Sequence, residues 1–105
     1  MRYDLLITKR AEELLDSILS YIMKQLQNPQ AAANLLDNIE YIYHNLQQNP
    51  RMYVCLDDEP LKEKKYRKVT IPYYNYLIIY RVDEETHRVY VLGFFHELES
   101  YINKL

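Results

Sequence analysis

The densest charge in this chain lies between Lys62 and Lys68, where Lys62, Lys64, Lys65, Arg67 and Lys68 stand against Glu63 alone, shortly after Asp57-Asp58-Glu59. Such a run can meet an anionic partner on one side, and Lys62, Lys64, Lys65 and Lys68, together with Arg81 farther along, are the candidate binding cations. The formal net charge of the chain is nevertheless −2, so its overall field does not announce a nucleic-acid binder. Among the histidines, His96 closes an apolar run and belongs to the one residue type that exchanges protons near neutrality. His44 falls on the polar side of a helical pattern and His87 in a turn, and with Cys55 they have no metal-ligand spacing. A single glycine excludes a glycine-rich phosphate loop, and a single cysteine excludes an internal disulfide. No metal or other cofactor is expected.

The elements that must hold these residues can be read in order. Tyr3 to Ile7 is a short apolar run that suits a strand, with Thr8 as cap for the next element. Ala11, Leu14, Leu15, Ile18, Ile22 and Leu26 then recur at spacings of three and four, with Leu19 widening the stripe, which predicts an amphipathic helix from Lys9 to about Gln27. Asn28-Pro29 ends that helix and starts another. The second carries Ala32, Leu35, Leu36, Ile39, Ile42, Tyr43 and Leu46 on one face, and Asn49-Pro50 stops it. The short connection predicts an antiparallel helical hairpin.

Residues Arg51 to Leu61 read as a surface loop. β-Branched and aromatic residues then fill three runs, Tyr66–Ile71, Tyr74–Val82 and Arg88–His96, separated by Pro72-Tyr73 and a charged break. That pattern predicts a strand meander. Leu98, Tyr101, Ile102 and Leu105 at helical spacing predict a short terminal helix. The whole is one α+β domain over residues 1–105, ordered β-α-α-β-β-β-(α), with the hairpin packed on a mainly antiparallel four-stranded sheet. With no apolar run of signal-peptide or membrane-span length, the expectation is a cytoplasmic protein.

If Pro72-Tyr73 and Asp83–His87 are the turns, Val69 opposes Tyr76, Tyr80 opposes Tyr90 and Tyr76 opposes Phe94. One sheet face then holds Arg67, Val69, Ile71, Tyr74, Tyr76, Ile78, Tyr80, Tyr90, Leu92, Phe94 and His96. The other holds Leu77, Ile79, Val89, Val91 and Phe95, the cleaner aliphatic surface and so the slightly preferred seat for the helices. A one-residue slip would invert part of that assignment. Twelve tyrosines against two phenylalanines and no tryptophan suit a surface that is apolar in body and wet at its rim. Gly93, inside the last strand, suits a bulge or a close approach.

This order of elements resembles the RelE/ParE superfamily of bacterial toxins from type II toxin–antitoxin modules, of the plasmid-stabilisation type. The likeness rests on Asn28-Pro29-Gln30-Ala31-Ala32, Leu46 with Asn49-Pro50, Tyr66-Arg67, the run Asn75 to Asp83, and His96 followed by Tyr101. It spans essentially the whole chain. The resemblance implies a cytoplasmic toxin that arrests growth and is neutralised by a cognate antitoxin, as a hetero-oligomer or a homodimer and without a membrane. RelE-like members cut mRNA on the ribosome, whereas ParE-like members act on DNA gyrase, and fold does not choose between them. The alternative is a diverged, non-catalytic binding module.

Metal-free RNA cleavage needs a proton acceptor, cations on the phosphorane and an acid for the leaving oxygen. Through the resemblance, Arg67 is a phosphate clamp, His96 a catalytic histidine and Tyr101 an acid or a stacking ring. Their structural alternatives are a surface arginine paired with acids, a polar strand end and a packed tyrosine. The site is expected where Arg67, its basic approach and His96 converge. Two departures favour the ParE-like branch or a diverged member, with a nuclease still open: Leu77 stands where many ribonuclease members carry an arginine, and the chain lacks the strong positive charge usual for ribosome-acting members. Phosphate contacts dominate affinity for RNA, so missing cations weaken binding directly.

Overall fold

The computed structural model describes residues 2–56, 64–99, 101, 104 and 105. Strand β1 (Asp4–Ile7) leads into helix α1 (Lys9–Lys24) through Thr8, whose hydroxyl accepts the Ala11 N–H at 3.1 Å. Helix α2 (Pro29–Gln48) opens with the Asn28 side-chain oxygen accepting from Ala31 N–H at 3.1 Å and with Pro29 in its first turn. Each cap satisfies a donor that the helix itself leaves open, worth about 1 kcal/mol. Helix α1 stops three residues before the expected Gln27. Leu26 therefore leaves the stripe and is exposed, as is Leu36 at the margin of the α2 stripe.

Strands β2 (Arg67–Thr70), β3 (Tyr76–Asp83) and β4 (Arg88–His96) complete one sheet in the order β1-β4-β3-β2. β1 runs parallel to β4, and the other pairings are antiparallel. The fold is thus two helices on a four-stranded mixed sheet.

Its registers differ from the expected ones. The turn between β2 and β3 takes four residues, Pro72 to Asn75, with Ile71 N–H donating to the Tyr76 carbonyl at 2.9 Å. Val69 therefore opposes Ile78 rather than Tyr76. In β4 the register shifts between Ile79, which faces Gly93, and Tyr80, which faces Val91. Leu92 is the extra residue, so the helix-facing positions pass from odd numbers before it, Val89 and Val91, to even numbers after it, Phe94.

This bulge corrects the preference for the aliphatic face. Val69, Ile71, Ile78, Tyr80 and Phe94, all expected on the tyrosine face, pack under the helices with Val89 and Val91. Leu35, Ile39, Ile42 and Leu46 of α2 and Ala11 and Ile22 of α1 close that core. Leu77, Ile79 and Phe95 point the other way and form a second cluster with Leu56, flanked by Tyr66, Leu92, Tyr101 and Leu105. Both faces are apolar because both are covered, which explains why composition alone could not choose between them.

Two further expectations change. After the short 3₁₀ turn Pro50–Met52, Val54 to Leu56 are not a free loop: Cys55 bridges to Arg67, and Leu56 N–H donates to the Tyr66 carbonyl at 2.8 Å. Leu56 is buried. No terminal helix is present among the described residues. Glu97 and Leu98 turn, Leu98 is 90% exposed, and the Tyr101 carbonyl accepts from Lys104 and Leu105. The positions Ser100, Ile102 and Asn103 of that expectation lie outside the described residues.

Candidate functional site

Arg67 sits at one end of the sheet, opposite Tyr80. Its guanidinium donates to the Tyr53 carbonyl at 2.6 Å and towards that of Arg51 at 3.4 Å, so it is held by backbone and not by acids. The Tyr80 hydroxyl, fully buried, donates to the Pro50 carbonyl and fixes the 3₁₀ turn that carries Arg51. Burial pushes the Tyr80 phenol up, despite the opposing influence of the Arg67 cation, so it stays a donor.

Arg67, Arg51, Lys65, Val82 and Glu84 line a cleft of about 290 Å³. Glu84 faces Arg51 at 2.9 Å and accepts from the Tyr3 hydroxyl at 3.0 Å. The Tyr3 hydrogen bond, followed by that of Arg51 and its charge, holds the Glu84 carboxyl below its ordinary value. Three cations against one carboxylate make this a place for an anion. Glu84, the one carboxylate among its lining residues, accepts from both Tyr3 and Arg51.

His96 is at the other end. It faces Tyr76 across the β3–β4 ladder, with the two rings edge to face at 5.5 Å, and its Nδ1 accepts the Leu98 N–H at 3.1 Å. Tyr76 and Tyr80 are four residues apart on β3, so Arg67 and His96 are separated by roughly 13 Å along the sheet at about 3.3 Å per residue. The expected convergence of Arg67 with His96 does not occur. Tyr101 is a third, separate location, because it packs at 6.1 Å from the Phe95 ring on the face away from the helices.

The candidate binding cations also separate. Lys65 joins Arg67 in the cleft, and Lys64 lies 5.8 Å from the centre of the Tyr66 ring. Lys68, opposite Ile79, and Arg81, stacked 4.1 Å over Tyr90, stand on the far face of the sheet. Lys62 lies outside the described residues. Reading the sequence missed Arg51 and Glu84 as cleft residues. Their signal was weak: each is a charge beside a turn, and only the fold brings them together across 33 positions.

Comparison with known proteins decides the family. The model of the ParE toxin of the type II toxin–antitoxin system parDE matches residues 5–101. This chain belongs to the ParE toxin family. Among solved structures, it is similar to the chromosomal ParDE toxin–antitoxin system of P. aeruginosa, with a TM-score of 0.70 and 21% identity over 90% of this chain and 96% of that one. It also resembles the toxin–antitoxin complex RelBE2 of Mycobacterium tuberculosis, with a TM-score of 0.61 and 22% identity over 91% and 99% of the two chains. A mutant of the E. coli toxin RelE in its free state gives a TM-score of 0.61 and 19% identity over 99% and 93%. At these identities the structures establish the shared fold. No curated protein matches the chain. Among the described residues, no helix of this ParE-family chain is long and apolar enough to cross a membrane.

Proposed function

We propose that this ParE-family toxin arrests growth in the cytoplasm by binding DNA gyrase, without cutting RNA, and is held in check by a cognate antitoxin. The observation that carries this reading is the dispersal of the three residues a ribonuclease would unite. Arg67 is tied to carbonyls at one end of the sheet, His96 is engaged at the other, and Tyr101 is packed on the opposite face. General acid–base work requires donors and acceptors within about 3 Å of one reacting group. A protein target asks only for a shaped surface.

The cleft of Arg51, Lys65 and Arg67 supplies a charged part of that surface, suited to a carboxylate or phosphate on the partner. Inducing the chain in cells tests the reading. Gyrase poisoning predicts a DNA-damage response with messenger ends unchanged by primer extension, and inhibition of supercoiling by purified gyrase. New messenger 5′ ends within minutes of induction, with gyrase unaffected, would sink it.

A further inference from the structure

The cleft lined by Arg51, Lys65, Arg67, Val82 and Glu84 already holds one anion, its own Glu84 carboxylate. Arg51 turns two nitrogens of its guanidinium onto Glu84 Oε1, Nε at 3.1 Å and Nη2 at 2.9 Å, while Oε2 accepts from the Tyr3 hydroxyl at 3.0 Å. The other two cations are not used in this way. Among the described residues, neither Lys65 nor Arg67 is paired with a carboxylate. Arg67 is nevertheless fixed, since both of its bonds to the carbonyls of Tyr53 and Arg51 leave from Nη1. Folding has therefore already ordered this cation, which lowers the entropy cost of binding an anion against it.

The contact that fills the cleft is easily exchanged. The Arg51 and Glu84 side chains are 62% and 44% exposed, and an ion pair this open adds little net stability, because water solvates both charges well when they part. Glu84 also has a second partner to fall back on. Tyr3, which holds its other oxygen, is itself held by a backbone bond to the Gln47 carbonyl at 2.9 Å and by stacking on His87 at 3.7 Å. The carboxylate can leave Arg51 and remain bound at the rim.

We propose that Glu84 is an internal stand-in for a carboxylate of the protein on which this toxin acts. On binding, an acidic side chain of that protein takes the place of Glu84 on Arg51, with Arg67 and Lys65 beside it, and Glu84 falls back on Tyr3. This rests on the reading that the toxin acts by binding a protein through this cleft. The seat on Arg51 is occupied by a carboxylate in the free chain, which identifies the ligand class. The string of phosphates of a nucleic acid is repelled by a chain of net charge −2, whereas a single acidic side chain meets only the local cations. Glu84 then acts as a brake on affinity, because its contact with Arg51 must break before the partner's can form.

Wild type, Glu84→Gln, Glu84→Asp and Arg51→Gln test this by NMR titration at low ionic strength with N-acetyl-glutamate amide, a single carboxylate, and separately with inorganic phosphate. All three substitutions fall on exposed side chains, and thermal unfolding confirms that each variant is folded at the titration temperature. Glu84→Gln is expected to bind the carboxylate roughly twofold to fivefold more tightly, the range set by an exposed ion pair. Glu84→Asp keeps the charge but is one methylene too short to span Arg51 and Tyr3, so it should tighten binding as well. In an Arg51→Gln background the Glu84 variants should no longer differ. Tightening in Glu84→Gln but not in Glu84→Asp would reduce Glu84 to a plain charge and overturn the exchange, as would no tightening in either. Stronger binding of phosphate than of the carboxylate would overturn the ligand class. Affinity for purified gyrase separates this proposal from the reading beneath it. If wild type binds gyrase and neither Glu84 variant binds it more tightly, the stand-in falls and the gyrase reading is intact. If the carboxylate titrations follow expectation while every variant ignores gyrase, the exchange stands and the gyrase reading falls.

Discussion

Glu84 shows how much a single exposed carboxylate can organise. It joins Tyr3, near the start of the chain, to Arg51 at the 3₁₀ turn, and Tyr3 also stacks at 3.7 Å on His87 in the β3–β4 turn. The Tyr3 hydroxyl is the leading reason that its carboxyl lies below 4.5. A carboxyl lowered on folding stabilises the fold above its unfolded value, and that contribution disappears as the pH falls through the lowered folded value. The urea midpoint should therefore decline below about pH 4.5, and Glu84→Gln should flatten this acid limb. Urea titrations of both proteins across the acid range check it, and identical acid limbs would contradict the assignment. None of this network was legible in the sequence, because its members have no local pattern. The partners of Arg67 were not legible either, since the carbonyls of Tyr53 and Arg51 are invisible to any reading of side-chain types.

Elements were more readable than their alignment. Thr8 and Asn28 cap the helices their positions predicted, because a cap is decided within four residues. Strand register is decided elsewhere. The bulge at Leu92 turns on Gly93, where an added Cβ would lie 2.5 Å from the Phe95 ring and 3.2 Å from Leu14. Phe95 folds over the bare glycine, and its position lets the far-face cluster close over Ile79 and Leu77. Gly93→Ala should thus destabilise the fold by about 1–3 kcal/mol, the usual range for overpacking a tight site. Chemical denaturation measures this, and a wild-type midpoint would show that Phe95 can move aside without loss. The two apolar faces, each separately covered, explain why alternation identified the strands and still left the helix-facing side undecided.

At the scale of the whole molecule, the order of elements and the family were legible, since both depend on the sequence of patterns along the chain. The placement of Arg67 and His96 relative to each other was not, because β3 sets them at its opposite ends. His96 has its Nδ1 accepting the Leu98 N–H while its backbone N–H donates to the Glu99 carboxylate at 2.9 Å. Asparagine can accept from the N–H two residues on in the same way, but it cannot shuttle a proton. His96→Asn is therefore expected to leave growth arrest within about twofold of wild type. Removing a general acid or base from a nuclease would instead lower activity roughly a hundredfold to ten-thousandfold. Growth curves after graded induction read the variant. A loss in His96→Asn at wild-type melting temperature would restore the imidazole as a catalytic group, whereas retained arrest fits a toxin whose activity resides in its surface.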